Sequence, residues 1–189
     1  ARALGGTGPA AYLDVAGVIA AAEVSGSDAI HPGYGFLAER VDFAARCAAA
    51  GLVFVGPRPE SLEIFGDKSR ARALAARVDV PLLPGTTGAT SLDEAQEFLA
   101  AAPGGSAIIL KAIAGGGGRG MRVVRDPAAL AEAFARCRSE AEAAFGRGDL
   151  YVERYLPRAR HIEVQIVGDG MGAVGHLGER ECSLQRRHQ

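Results

Sequence analysis

Apolar residues recur along this chain with two periods, and the places where one gives way to the other mark out its elements. Val15, Val18, Ile19 and Ala22 share one face of a 3.6-residue period, so residues 15–24 predict a helix with Asp14 as its cap. Ala29 and Ile30 form a short strand, and His31-Pro32-Gly33-Tyr34-Gly35 turns the chain with one proline and two glycines. Residues 41–50 predict a helix closed by Gly51, and residues 52–55 a buried strand ended by Gly56-Pro57. Strand, helix and strand with short connections predict a parallel α/β sheet. A short helix over 60–65 breaks at Gly66, where Asp67 caps a second helix through Arg77. Pro81 and Pro84 end that run, and Gly85-Thr86-Thr87-Gly88 reads as a linker.

The next segment has a different rhythm. Ser91 and Glu94 have the spacing of a capping box for a helix to about Ala102. An apolar run ending at Lys111 predicts a buried strand; glycines from Gly115 to Gly120 interrupt it, and Met121 to Val124 resume as a second strand. Asp126 and Pro127 open the longest helix, with Leu130, Phe134, Cys137, Ala141 and Phe145 on its apolar face and Gly146 as its stop. Residues 150–154 predict a further strand, which completes a small α+β unit with a glycine hairpin at its edge. From His161 the alternation is strict: Ile162, Val164 and Ile166 point one way, Glu163 and Gln165 the other. Gly168-Asp169-Gly170 turns the chain, and residues 173–177 pair back. The reading is α/β followed by α+β, in segments 1–84, 85–155 and 156–189. No strand precedes the first helix and the first residue is not Met, so the sequence is expected to start inside a domain.

The glycine hairpin carries the sharpest chemical signal. Without Cβ atoms, successive backbone N–H groups can close on an anion, and such a nest suits phosphate. Lys111 adds a point charge and Arg119 a fork of donors. Gly115, Gly117 and Gly120 formally fit G-x-G-x-x-G, but that motif needs a helix at its last glycine, and Met-Arg-Val-Val follows instead. No Lys-Ser or Lys-Thr follows Gly120, so the P-loop pattern fails as well. What remains is a flap between two strands, expected to be the most mobile part of its unit without ligand.

Composition adds limits. A net charge of −1 gives no excess to suit nucleic acid or an anionic membrane, and no apolar run approaches spanning length. Cys47, Cys137 and Cys182 are few, odd in number and far apart, which predicts free thiols in a cytoplasmic protein rather than a disulfide framework or zinc site. Of the 21 Lys and Arg residues only Lys68 and Lys111 are Lys, and both stand beside glycine-containing segments. A compact ammonium that reaches phosphate oxygens is a physical reason for that placement.

Six segments occur in order: residues 31–39, Phe65-Gly66-Asp67-Lys68, residues 110–124, 151–156, 161–167 and 179–189. Together they resemble the biotin carboxylase component of biotin-dependent carboxylases, of the acyl-CoA carboxylase alpha-subunit type, which has the ATP-grasp fold. The resemblance implies an N-terminal parallel α/β domain, a lid carrying the glycine flap, and the start of a central antiparallel domain. It implies ATP, bicarbonate and Mg2+ as small-molecule ligands, with biotin presented on a carboxyl carrier protein or domain. A carboxyltransferase partner and a homo-oligomer are implied too. ATP would phosphorylate bicarbonate to carboxyphosphate, which then carboxylates biotin. On matching positions, Lys68 and Lys111 would contact phosphates and Gly117 and Gly118 would close over them. Glu153, Arg154 and Leu156 would hold adenine, with backbone groups of the last two at its edge. His161 and Gln185 would contact ribose, and His188 the nucleotide near its phosphates. Ala114 stands where some members have a further glycine.

In the resembled family the bicarbonate-binding Lys, the magnesium-binding carboxylates and the catalytic Arg fall past Gln189, so this stretch alone is expected not to carboxylate biotin. The final acceptor stays open among acetyl-CoA, propionyl-CoA, pyruvate and others. Two alternatives are a carbamoyl-phosphate-synthase-like ATP-grasp ligase and a non-catalytic nucleotide-binding module; the 31–36 loop and the 185–189 ending favour biotin carboxylase.

Overall fold

The computed structural model describes residues 3–114 and 120–184. The chain divides into two compact units, Ala1–Leu74 and Ala75–Gln189.

In the first unit, α1 (Val15–Val24) starts where the Asp14 carboxylate accepts from the Gly17 N–H at 3.1 Å. β1 (Ala29–Ile30) and β2 (Val53–Phe54) pair in parallel, Ala29 opposite Val53, with α2 (Val41–Ala49) between them in sequence. This is the predicted α/β unit with a shorter second strand. Its core joins Val15 and Ile19 to Leu37, Phe43, Cys47 and Leu52, and the fully buried Phe43 ring meets Phe54 edge-on at 5.8 Å. α3 (Pro59–Gly66) ends at Asp67, whose carboxylate accepts from the Ser69 and Arg70 N–H groups and starts α4 (Lys68–Arg77). The predicted cap is therefore in place.

The second unit is built on the sheet order β4-β3-β5, antiparallel throughout. β3 (Ile108–Ala112) lies between β4 (Met121–Val124) and β5 (Leu150–Arg154). α5 (Leu92–Ala100) opens with the full capping box of Ser91 and Glu94. α6 (Leu130–Phe145) follows a single 3-10 turn at Pro127–Ala129, where Asp126 caps the Ala128 N–H. Ile108, Leu110, Val124, Leu150 and Val152 project from one sheet face onto Ala95 and Leu99 of α5 and Leu130, Cys137 and Ala141 of α6. Each large side chain hidden this way contributes roughly 1.5–3 kcal/mol, so this face fixes the unit.

Two differences from the sequence reading have physical causes. The segment predicted as a linker lies along the outer edge of β5. Thr86 N–H donates to the Val152 carbonyl at 2.8 Å, Thr90 N–H to the Leu150 carbonyl at 2.8 Å, and Arg154 N–H to the Pro84 carbonyl at 2.9 Å. A strand edge needs partners, and the Thr hydroxyls supply more of them: Thr86 Oγ1 accepts from the Val152 N–H at 3.0 Å and from the Thr90 hydroxyl at 2.7 Å. The second difference is the last hairpin. β6 (Ile162–Gly168) pairs with β7 (Val174–Glu181), which runs beyond the predicted residue 177. Gly178, at φ +87°, makes a bulge opposite Gln165 instead of ending the strand. On β6 the apolar row Ile162, Val164 and Ile166 stays about half exposed, at 44, 50 and 56%.

Candidate functional site

A strand's side chains alternate, so the sheet face away from the core is fixed once Ile108, Leu110 and Ala112 are buried against the helices. It carries Ile109 and Lys111 on β3. Val123 and Met121 stand opposite them on β4, and Glu153 and Tyr151 on β5. Ile109, Tyr151 and Glu153 are buried and Lys111 is half-buried. The Lys111 ammonium is ion-paired with the Glu153 carboxylate, diagonally across the β3–β5 pair, with side-chain exposures of 23% and 9%. Shielding of this order makes a charge pair stronger than one on an open surface.

β5 continues from Glu153 into the segment expected to hold adenine. Because its N–H is engaged with Pro84, Arg154 offers its carbonyl rather than its amide to a ligand. Tyr155 N–H donates to the Ala107 carbonyl at 2.9 Å, and the Arg125 guanidinium lies 5.4 Å from the Tyr155 ring centroid. Leu156, the next residue, is 43% exposed.

The far end of β3 meets the return strand at Gly120. Its carbonyl accepts from the Ala112 N–H at 2.8 Å and from the Cys137 thiol at 3.1 Å. At φ +62° Gly120 sits in the left-handed region, and a Cβ there would stand 3.0 Å from the Ala112 Cβ. Burial foremost, with the nearby Glu140 carboxylate, pushes the Cys137 thiol up to about 12. Cys47, Cys137 and Cys182 are all free thiols, as predicted.

On the last hairpin, His161 Nε2 lies 3.2 Å from one Glu163 oxygen, and Arg180 pairs with the other at 2.6 Å. The His161 amide donates to the Ser183 hydroxyl at 2.8 Å, and its carbonyl accepts from the Cys182 N–H at 2.7 Å. Hydrogen bonding from Ser183, then from Arg160, holds the Glu181 carboxyl below its usual range. Among the described residues no three His, Cys, Asp or Glu side chains converge to hold a metal ion.

Of the residues singled out from sequence, the structure pairs Lys111 with Glu153 on one sheet face, while Arg154, opposite Ile108, and Leu156 follow along the chain. Lys68 is the half-buried first residue of α4. His161 stands at the start of the last hairpin. Gly117, Gly118, Gln185 and His188 lie outside the described residues. The sequence reading passed over Ile109 and Tyr151. Parity was the available signal, since Ile109 shares it with Lys111 and Tyr151 with Glu153.

Residues 1–62 match the biotin carboxylase N-terminal domain, and residues 67–189 match the carbamoyl-phosphate synthase L chain ATP-binding domain. The chain is 51% identical over 179 residues to pyruvate carboxylase of Bacillus subtilis, covering 95% of this chain and 16% of that protein. A biotin carboxylase–beta-gamma-ATP complex from Campylobacter jejuni superposes with a TM-score of 0.89 at 47% identity, covering 95% of this chain and 40% of that one. The biotin carboxylase domain of 2-oxoglutarate carboxylase from Hydrogenobacter thermophilus, solved with MgADP, ADP and bicarbonate, gives 0.91 at 43% identity, covering 98% and 41%. The chain thus spans only a minor part of the relatives it matches. With residues 1–62 and 67–189 each matched and the fold shared with solved biotin carboxylases, the chain belongs to the biotin carboxylase family of ATP-grasp proteins.

Proposed function

We propose that this stretch forms the ATP-binding wall of a complete biotin carboxylase, which spends ATP and bicarbonate to carboxylate biotin on a carrier protein or domain. One observation carries the reading. Lys111, one of only two lysines, stands on the face of the lid sheet away from the core, one strand from the segment expected to hold adenine. In this reading 85–155 is the lid and 156–189 the start of the central domain. Lys111 and Lys68 hold phosphate oxygens by charge, and the glycine flap with Gly117 and Gly118 supplies backbone donors. Adenine lies against Ile109 and Tyr151, with the Arg154 carbonyl accepting from its amino group and the Leu156 amide donating to its ring. His161 and Gln185 take the ribose, and His188 approaches the phosphates. The protein's contribution to phosphoryl transfer is positioning and charge compensation.

Among acceptors pyruvate has more support than the acyl-CoA of the sequence reading, because the matched Bacillus protein is a pyruvate carboxylase. A carboxyltransferase partner and a homo-oligomer belong to the same proposal, as does a cytoplasmic setting, which the three free thiols support. Among the described residues no helix is long and apolar enough to cross a membrane. The biotin carboxylase match over residues 1–62 favours this activity over carbamoyl phosphate synthesis. The test is calorimetric titration of the complete protein with a non-hydrolysable ATP analogue. Lys111→Ala removes one charge-assisted contact and is expected to weaken binding by about tenfold or more. An unchanged dissociation constant would remove Lys111 from the site.

A further inference from the structure

Lys111 already has a counterion. Its ammonium is paired with Glu153, whose side chain is nine-tenths buried, on the face where the proposed nucleotide lies. Neither partner belongs to the packed core, which occupies the other face of the sheet. Strand geometry brings the two together. Ile109 stands opposite Glu153 and Lys111 opposite Tyr151, so the Lys and Glu are diagonal neighbours on one face, within reach of long side chains. A phosphate that takes Lys111 must compete with this carboxylate. It must also leave a negative group in a shielded place, close to a polyanion.

We infer that Glu153 is a positioning residue that aims Lys111 along the sheet face, and that nucleotide enters by exchange of ion-pair partners. The Lys111–Glu153 pair opens and a Lys111–phosphate pair forms in its place. The inference rests on the proposed nucleotide reading and extends it, because a residue counted as an adenine contact becomes one that opposes binding through its charge. The exchange has a use in physical terms. It holds the half-buried ammonium on the sheet face before phosphate arrives, so that arrival needs only a change of partner and not a search by a long, flexible side chain. The affinity given up is the part held by the carboxylate.

The sign of one substitution separates this from an ordinary contact. Glu153→Gln keeps the shape and an acceptor oxygen but removes the charge. Exchange predicts that Glu153→Gln binds a non-hydrolysable ATP analogue more tightly, by about threefold or more, whereas loss of a simple contact weakens binding. Glu153→Asp, which keeps the charge, is expected not to tighten it.

The experiment is a double-mutant cycle on the complete protein, with the analogue's dissociation constant read by calorimetry for wild type, Glu153→Gln, Lys111→Met and the double variant. Thermal unfolding of each variant confirms folding, and the Lys111→Met arm isolates the underlying reading. Exchange predicts that Lys111→Met weakens binding and that the gain from Glu153→Gln disappears in the Lys111→Met background. Weaker binding by Glu153→Gln, or the same gain with and without Lys111, overturns the exchange and leaves the nucleotide reading standing. Unchanged affinity in Lys111→Met overturns the nucleotide reading and the exchange with it. If Glu153→Gln fails to fold, Glu153→Ala with the same cycle gives the same sign test.

Discussion

Replacing Gly120 by Ala introduces two separable costs where β4 leaves the glycine hairpin. The first is conformational: at φ +62° a side chain meets the left-handed penalty of about 1–2 kcal/mol. The second is steric. The new Cβ would lie 3.0 Å from the Ala112 Cβ, and both atoms hang directly from backbone, Ala112 within β3 and Gly120 just before β4, so relief means shifting the main chain. Overpacking of this kind costs about 1–3 kcal/mol. The sum, roughly 2–5 kcal/mol, falls on the hydrogen bond from the Ala112 N–H to the Gly120 carbonyl. Hydrogen exchange on the complete protein, read at the 112 amide, should then accelerate by about thirtyfold or more. In an Ala112→Gly background the steric part is gone, and Gly120→Ala should cost only the conformational part. Unchanged protection in the single variant would exclude both costs at this hydrogen bond, and an equal cost in both backgrounds would exclude the steric one.

Other substitutions test neighbouring parts of the account. Thr86→Val leaves the Val152 N–H without its hydroxyl acceptor and should destabilise the edge of β5 by about 1–3 kcal/mol, read as faster exchange at residue 152. Ser91→Ala removes the hydroxyl half of the capping box and should cost about 1 kcal/mol, seen as faster exchange over α5 and little change over α1. The thiols should differ in reactivity: at mildly alkaline pH iodoacetamide should label Cys182 first, because burial raises Cys47 and pushes Cys137 up to about 12. The same shift fixes a sign for stability. A thiol with a raised folded pKa stabilises fully below its unfolded value of 9.0, and that contribution is lost as pH rises toward about 12. A Cys137→Ala variant should therefore show a shallower alkaline loss of stability in denaturant titrations.

Much of this architecture was legible because local signals and burial agree. Asp14, Asp67, Ser91 with Glu94, and Asp126 each start a helix where the sequence places it. The buried stripe of Leu130, Cys137 and Ala141 follows the predicted period of α6. Misreadings came where a residue's local preference was overruled by pairing at a distance. Gly85 to Gly88 has linker chemistry, but β5 offers it an unsatisfied edge. Gly178 has turn chemistry, yet in β7 it forms a bulge. The site shows the same divide. Lys111 could be singled out from its neighbours in sequence, whereas its pairing with Glu153, 42 residues on, depends on the register of β3 with β5. Sequence parity placed Ile109 beside Lys111 but could not say which face is covered by α5 and α6.

If this stretch serves an ATP-dependent carboxylation of biotin, ATP turnover by the complete protein depends on bicarbonate. ADP release by the complete protein is measured with magnesium and ATP, with and without bicarbonate and free biotin. Release should rise when bicarbonate and biotin are both supplied, with carboxybiotin appearing in step with it. ADP release indifferent to bicarbonate, or ATP bound with no turnover under any of these conditions, would rule out biotin carboxylation as the reaction this stretch serves.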